Sequence, residues 1–414
     1  MKNEPKIRIK GFEGEWKKLS FSETFTFLRN NSLSRAELNY KGGLVKNIHY
    51  GDVLIKFSEI IDVNKETLPF ISDNEISKRF IPNAILKDRD IVFSDAAEDE
   101  TVGKCSELLN VGINKIVSGL HTVPCRPFIE FANCYLGFYL NSKAYHDQLL
   151  PLIQGTKISS LSKAAFLNTN VSYPLSISEQ RAIATYFRHI DSLIETADKK
   201  IASLKQVKEA SLQSMFPKEG QKVPEVRFKG FEGEWKIDEL GNLFTERVES
   251  DVFAEMLSVT QGQGIIKANE NGRYDNSNSD KSKYRLVKVG DIAYNSMRMW
   301  QGASGYSPYY GIVSPAYTVV VPNNNVDSCF FAYMFKTAIM IKQFRLHSQG
   351  LTTDTWNLKF PAFSKIEVTY PADKAEQRKI ASFFVHLDKQ IAIAQQRLDL
   401  LRRIKSACLD EMFA

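Results

Sequence analysis

Two stretches of the chain, 179–216 and 376–413, contain neither proline nor glycine and place apolar residues on a strict rhythm. In the first they fall at Ile183, Phe187, Ile190, Ile194, Ala197, Ile201 and Leu204; in the second at Ile380, Phe384, Leu387, Ile391, Ala394, Leu398 and Leu401. Steps of four and three alternate, which is the 3.5-residue period of a coiled-coil seam; a helix lying on a globular core repeats nearer 3.6 with a wider apolar face. Both rows then take a three-residue step, to Val207 and Ile404, where local overwinding is expected. The pattern predicts two long helices, each about 57 Å at 1.5 Å per residue, packed seam to seam.

The two stretches are also copies. They align without gaps at an offset of 197, with 16 of 38 positions identical. A second repeat, IRIKGFEGEW at 7–16 and VRFKGFEGEW at 226–235, has an offset of 219. Between these constant parts only echoes survive: VSGLHTV beside VSPAYTV, Gln154-Gly155 beside Gln349-Gly350, and SYPL beside TYPA. One fold used twice with different surfaces accounts for this order, with an old duplication that has drifted as the plainer alternative. The link FPKEGQKVPEVRF between the first helix and the second KGFEGEWK extends to roughly 40–45 Å at most, short of the return that parallel helices would require. Antiparallel helices are expected, holding two pseudo-twofold-related modules at opposite ends of a stiff rod. On DNA such a rod fixes the spacing of two half-sites.

Composition narrows the class less. Hydrophobic residues make up 43% and charged residues 25%, as in ordinary globular proteins, and the net charge of +6 suits a polyanion without requiring one. No apolar run approaches the roughly 20 residues of a membrane span, and MKNEPKIRIK lacks the apolar core of a signal peptide. A cytoplasmic, non-membrane protein is expected. The five scattered cysteines contain no CxxC pair, so neither a disulfide framework nor a zinc site is expected.

With RFKGFEGEW opening a module, IHYGDVLIKFSEI (48–60), GDIAYNSMRMWQGASG (290–305), a Gln-Gly turn near each module's end and a YP…EQR junction into a long helix seen twice, the chain resembles the specificity (S) subunits of type I restriction-modification enzymes over nearly its whole length. The resemblance implies two α/β (α+β) target-recognition domains joined by two long antiparallel coiled-coil helices. The implied layout is 1–175 for the first domain, 176–216 for its spacer helix, 217–228 for a linker, 229–372 for the second domain and 373–414 for the second helix. Each domain would read half of an asymmetric bipartite site in double-stranded DNA. The helices would set the spacer and dock two methyltransferase subunits, which use S-adenosylmethionine, with motor-nuclease subunits using ATP and Mg joining for restriction. YGDVLIKF (50–57) and DRDIVFSD (88–95) both read as strands like VGDIAYNS (289–296), which leaves the alignment of the modules before residue 90 open.

There is no Pro-Pro dipeptide for an amino-methyltransferase loop and no GxxxxGK[ST] for a motor. Glu15-Trp16-Lys17 and Glu234-Trp235-Lys236 mimic half of a nuclease motif, but no Pro-Asp lies upstream. His189 and Asp191 recur as His386 and Asp388, yet residues two apart on a helix do not face each other, so a structural role is expected. The chain reads as a non-catalytic subunit, without metal or cofactor of its own.

Base reading needs directed hydrogen bonds, and phosphate binding needs cations and hydroxyls. In the second module the candidates are Gln261, Gln263 and Lys267 on a glycine-flexed loop; Arg273, Lys281, Lys283 and Arg285; Asn295, Arg298 and Gln301 after a predicted strand at 290–294; and Gln349, Thr352 and Thr353. In the first they are Lys41, Lys46, Asn47, Lys56, Ser94, Lys104, Gln154, Thr156 and Lys157. A scaffold whose heads bind proteins is the competing class; steep salt dependence marks the DNA binder. KGFEGEWK itself reads as packing: Phe12 and Trp16, or Phe231 and Trp235, lead to Phe21/Phe25 or Leu240/Phe244 at the i, i+4 spacing of a buried helix face.

Overall fold

The computed structural model describes residues 3–80, 84–155, 157–262, 264–271, 280–353 and 355–414. The chain forms two compact units, Met1–Ala197 with Arg397–Ala414, and Asp198–Gln396. Packing thus cuts across both long helices, α1 (Ile177–Ser214) and α2 (Lys374–Glu411), each of 38 residues. Every unit combines one expected recognition domain with a piece of each helix. Among the described residues no helix is long and apolar enough to cross a membrane.

Unit 1 is mixed α/β. Its strands include β1 (Lys17–Ser20), β2 (Phe25–Phe27), β3 (Ile60–Asp62), β4 (Ile91–Ser94), β5 (Cys105–Leu109), β6 (Thr122–Pro127) and β7 (Asn170–Tyr173). The main sheet has the order β2-β6-β4-β5-β3, antiparallel except between β5 and β3. β4 and β5 are buried along their whole length, which is why IVFS and CSELL show no polar alternation. A smaller four-stranded sheet contains Lys46–Ile48 and Ile116–Ser118. Unit 2 has β8 (Lys236–Glu239), β9 (Phe244–Glu246), β10 (Ile292–Asn295), β11 (Ser304–Tyr306), β12 (Tyr317–Pro322) and β13 (Glu367–Tyr370). Its main sheet, β9-β12-β10-β11, is antiparallel throughout.

The repeated sequences converge on one junction per unit. β1 pairs with β7, Lys17 opposite Tyr173, and β8 pairs with β13, Lys236 opposite Tyr370. The Arg8 guanidinium donates to both carboxylate oxygens of Glu179, at 2.7 and 2.9 Å, and to the carbonyls of Gly14 and Glu13. Arg227 repeats this on Glu376, at 2.7 and 2.8 Å, and on the carbonyls of Gly233 and Glu232. Gln180 and Gln377 each donate to the carbonyl of the preceding proline, Pro174 or Pro371, and accept from a backbone N–H, that of Ala132 or Asp327. The Glu-Gln pair of EQR therefore ties the opening turn, the last strand and the helix start together. Trp16 and Trp235 are both buried, and the Trp235 indole N–H also donates to Glu376.

Within each unit the helix pieces run antiparallel. In unit 1, Lys405 Nζ lies 2.7 Å from Asp191 and 2.6 Å from Glu59; in unit 2, Lys208 Nζ lies 2.5 Å from Asp388, which also accepts from Tyr333. Lys208 and Lys405 are repeat partners, as are Asp191 and Asp388, so the aspartates carry the structural role expected of the His-x-Asp pairs while His189 and His386 stay exposed. Met412 and Phe413 fill the core of unit 1, with Phe413 against Trp16, Tyr135, Tyr139 and Phe187. Met215 and Phe216 do the same in unit 2, against Trp235, Phe330 and Phe384.

Along the predicted seam, Ile183, Phe187, Ile190, Ala197, Ile201, Ile380, Phe384, Leu387 and Leu398 are buried, whereas Ile194, Leu204, Ile391, Ala394 and Leu401 are half-buried. Ile183 and Phe187 belong to the core of unit 1, and Ile380, Phe384 and Leu387 to that of unit 2. The start of each seam thus docks on a globular body. Val207 and Ile404 are exposed, so the three-residue step lies off the buried stripe.

Two expectations about local structure are corrected. YGDVLIKF is not a strand: Tyr50–Ile55 is a helix, begun by His49, whose Nδ1 accepts from the Gly51 N–H. The counterpart of VGDIAYNS is DRDIVFSD, with β4 matching β10 at an offset of 201, because the buried Asp90 and Asp291 each hold an arginine, the half-buried Arg126 and the buried Arg247. Nor do Phe21/Phe25 and Leu240/Phe244 share a helix face. The helices Phe21–Thr24 and Leu240–Leu243 are single turns, and Phe25 and Phe244 begin strands. All four side chains are nonetheless buried.

Candidate nucleic-acid interface

In both units the Gln-Gly turn closes on itself by a two-bond bridge. Gln154 and Ser160 exchange backbone hydrogen bonds at 3.0 and 2.8 Å, and Gln349 and Asn357 do so at the same two distances. Gly155 has φ +97° and Gly350 φ +150°, and a Cβ on either would lie 2.1 Å from the Ile158 carbonyl oxygen or 2.6 Å from that of Thr355. Only glycine allows these closures. The next residue then bonds to the chain leaving the central strand: Leu161 N–H to Asp95 O at 2.9 Å, and Leu358 N–H to Ser296 O at 2.8 Å. Each loop is thereby docked beside the end of β4 or β10.

In unit 2 this docking assembles three candidate segments. Gln261 Nε2 donates to the Gln301 carbonyl at 2.7 Å, joining the glycine-flexed loop to the chain after β10. Trp300 and Trp356 meet edge to face with centroids 5.3 Å apart, and the Arg345 guanidinium lies 5.5 Å from the Trp356 ring. The corner therefore gathers Gln261, Asn295, Arg298, Gln301, Gln349, Thr352 and Thr353. Arg298, Gln349, Thr352 and Thr353 are exposed; Asn295 is half-buried, its side-chain oxygen accepting from the Met297 N–H. Lys267, paired with Glu255, ends the strand Gly264–Lys267, which pairs with Leu257–Thr260, while Lys281 and Lys283 lead into Arg285 at the start of a separate strand, Arg285–Val287, which pairs with Gly311–Val313. Gln263 and Arg273 lie outside the described residues.

Unit 1 does not assemble its candidates in that way. Asn47 is fully buried, its oxygen accepting from Asn31, and Ser94 is buried with its hydroxyl donating to the Ala96 carbonyl. Lys104 is turned inward onto the Leu54 and Phe57 carbonyls, where burial lowers its pKa. These three brace the fold and do not present donors to a ligand. Lys46 is held by Asn114 and Lys56 by the Thr67 carbonyl, while Lys41 is exposed. Gln154 and Lys157 are exposed on the docked loop, and Thr156 lies outside the described residues.

Beside that loop lies a cleft of about 500 Å³ bordered by Asn30, Ser32, Asp95 and His121, residues that the sequence reading missed. His121 Nδ1 is 3.2 Å from Asp95 and its ring packs on Tyr50. Burial pushes the Asp95 carboxyl above its ordinary pKa, and His121 pulls it back. Trp300, Trp356 and Arg345 were missed as well. The signal available was that Trp300 and Trp356 stand outside the repeated KGFEGEWK. At matched positions, then, unit 2 presents Arg298 where unit 1 has Ala97, and Ser296 where unit 1 has Asp95.

A family model, the type I restriction modification DNA specificity domain, matches residues 233–403, which carry this corner of unit 2. Over residues 233–403 the chain carries a type I restriction-modification DNA specificity domain. Among solved structures the chain is similar to the type I restriction-modification S subunit from M. genitalium, at 13% identity over 99% of each chain, with a TM-score of 0.57. It is also similar to a chain in a structure concerned with complex assembly and conformational transition of the type I system, at 13% identity over 96% of this chain and 97% of that one, with a TM-score of 0.51. At that identity the likeness is one of fold. No curated protein matches significantly.

Proposed function

We propose that this chain is a specificity subunit, each unit of which reads one half of an asymmetric, bipartite site in double-stranded DNA. The supporting observation is that equivalent Gln-Gly loops dock on equivalent strand ends but carry unlike chemistry. Unit 2 offers Arg298, Gln301 and a Trp300–Trp356 pair; unit 1 offers Asp95, His121 and Lys157. Arginine favours guanine and carboxylates accept from cytosine, so unlike surfaces select unlike bases. Gln154 and Gln349, Thr352 and Thr353 are the loop residues nearest to bases or phosphates, and Lys41 and the basic strip Lys281, Lys283 and Arg285 add phosphate contacts.

The two helices set the spacer between the half-sites and dock two methyltransferase subunits. The antiparallel ion pairs Lys405–Asp191 and Lys208–Asp388 favour this, because they fix the helix register in each unit. S-adenosylmethionine belongs to the methyltransferase subunits, and ATP and Mg to motor-nuclease subunits. The assembly works in the cytoplasm. The test is to insert whole turns into both helices and sequence modified adenines in cells carrying the protein with its methyltransferase. The spacer should lengthen with both half-sites unchanged; an unchanged spacer or an altered half-site refutes the reading.

A further inference from the structure

We propose that Lys336 is a positioning residue for the recognition corner of unit 2, and that the charge state of its amine decides how firmly that corner is held. This rests on the corner being a DNA-contacting surface. Lys336 leaves the end of the helix Ser328–Met334 and points up beneath the corner. Its ammonium donates to the carbonyl of Gly302, to that of Ser304 at 2.7 Å and to that of Gln261 at 3.5 Å. An ammonium has three hydrogens to donate and no acceptor. The three carbonyls thus use it fully, and they belong to two of the loops that form the corner. Gly302, with φ +79°, is where the chain turns directly after Gln301.

Unit 1 has a different residue in this place. Asn141 stands one residue before Ser142 as Lys336 stands one before Thr337. Both hydroxyls close the same turn, on the carbonyls of Tyr139 and Met334. Asn141 brackets the start of β5 through Cys105, exchanging bonds with its N–H and its carbonyl at 3.0 and 2.8 Å, just as Lys336 brackets the start of β11 at Ser304. The asparagine cannot titrate. The lysine can: burial is the main cause that lowers its pKa to about 8, and Lys208 adds repulsion.

A cleft of about 550 Å³ gives water a route to this amine. The ionisable groups around it are Lys205, Lys208, Glu209 and Asp388 from the helices, and Cys329, Tyr333 and Tyr306 from the body. Lys208 is neutralised by Asp388, and burial holds the Cys329 thiol up at about 11 and raises both tyrosines. Lys336 itself changes charge just above neutrality. Once neutral it donates two hydrogen bonds and turns a lone pair toward the third carbonyl, which loosens the corner. Folding stability moves the other way. A lysine whose pKa is lower in the folded state makes the unit more stable as pH rises from about 8 towards the unfolded value near 10.4, so a loss of recognition in this window is not unfolding driven by this group.

The experiment measures DNA binding by the full chain, assembled with its methyltransferase subunits, from pH 6.5 to 9.5 at constant ionic strength. Three duplexes are used: the intact site, one with the half-site of unit 2 scrambled, and one with that of unit 1 scrambled. Preference for the intact half-site of unit 2 should fall about tenfold between pH 7 and 9, the value of one charge-assisted hydrogen bond, with its midpoint near 8. Preference for the half-site of unit 1 should stay constant. Lys336→Arg should keep the preference at pH 9, and Lys336→Asn should weaken it at pH 7 and flatten the profile. A flat wild-type profile, or the same alkaline fall in Lys336→Arg, overturns the role of Lys336 while leaving the recognition reading intact. Equal binding of all three duplexes at pH 7 overturns both.

Discussion

Replacing Glu376 by glutamine probes the junction on which the repeated sequences converge. The carboxylate is 2% exposed and accepts from Arg227 Nε at 2.7 Å and Nη2 at 2.8 Å, and from the Trp235 indole at 3.3 Å. Removing one member of a buried ion pair costs about 3–5 kcal/mol, because the other charge stays desolvated. Arg227 is 15% exposed and keeps its bonds to the Gly233 and Glu232 carbonyls, which puts the expected loss near the lower figure, about 3 kcal/mol. Arg227→Met should cost a similar amount, and the double variant about 2–3 kcal/mol less than the sum, since residues in contact couple. Urea unfolding followed by Trp235 fluorescence, in a chain whose other three tryptophans are phenylalanine, measures each corner of the cycle. A coupling below about 1 kcal/mol, the range of exposed pairs, would refute the view that EQR and the opening turn form one buried clamp. The Arg8–Glu179 copy should give the same coupling with Trp16 as the probe.

Further outcomes are expected elsewhere. Burial pushes the Glu107 carboxyl up to about 7, against the pull of the Cys134 and Gly137 N–H groups that donate to it. The folded state then binds more protons than the unfolded one between about pH 4.5 and 7, so unit 1 should lose up to roughly 3 kcal/mol as pH rises through that window and level off above it; a stability flat from pH 5 to 8 refutes this. Gly350→Ala should lower binding to the half-site of unit 2 alone, because a Cβ there meets the Thr355 backbone at 2.6 Å; equal losses at both half-sites would contradict the separation of the two surfaces. A half-chain ending after Phe216 should form a dimer in sedimentation, since its own Lys208 and Phe216 can take the places of Lys405 and Phe413 against a second copy; a monomer in the presence of methyltransferase subunits would show that the repeats are not interchangeable.

The two long helices, the duplicated order and the α/β class were legible because each rests on local periodicity or on literal repetition. The strand Ile292–Asn295 and the Gln-Gly turns were legible for the same reason. YGDVLIKF was misread because an apolar hexapeptide beginning Gly-Asp suits a strand or a short helix equally; His49 capping Gly51 decides it. Asn47, Ser94 and Lys104 were chosen as polar residues able to meet DNA, yet a residue's polarity does not say which way the fold turns it. His121 and Asp95 lie 26 residues apart, and Trp300 and Trp356 lie 56 apart; no spacing rule relates them.

By itself the sequence determined that one architecture is stated twice, that two helices match each other, and that each module opens and ends on the same words. Those features depend on contacts within a few residues, or on identity between copies, and a reader of the chain can see both. Only the tertiary structure decided that the arginine just before KGFEGEWK and the glutamate of EQR form one ion-pair clamp, that each unit borrows its final Met-Phe from the helix of the other repeat, and which polar side chains face outward. Those outcomes depend on burial and on partners far away in the chain, where the cost of an unpaired charge or an unfilled core selects the arrangement and local pattern carries no record of it.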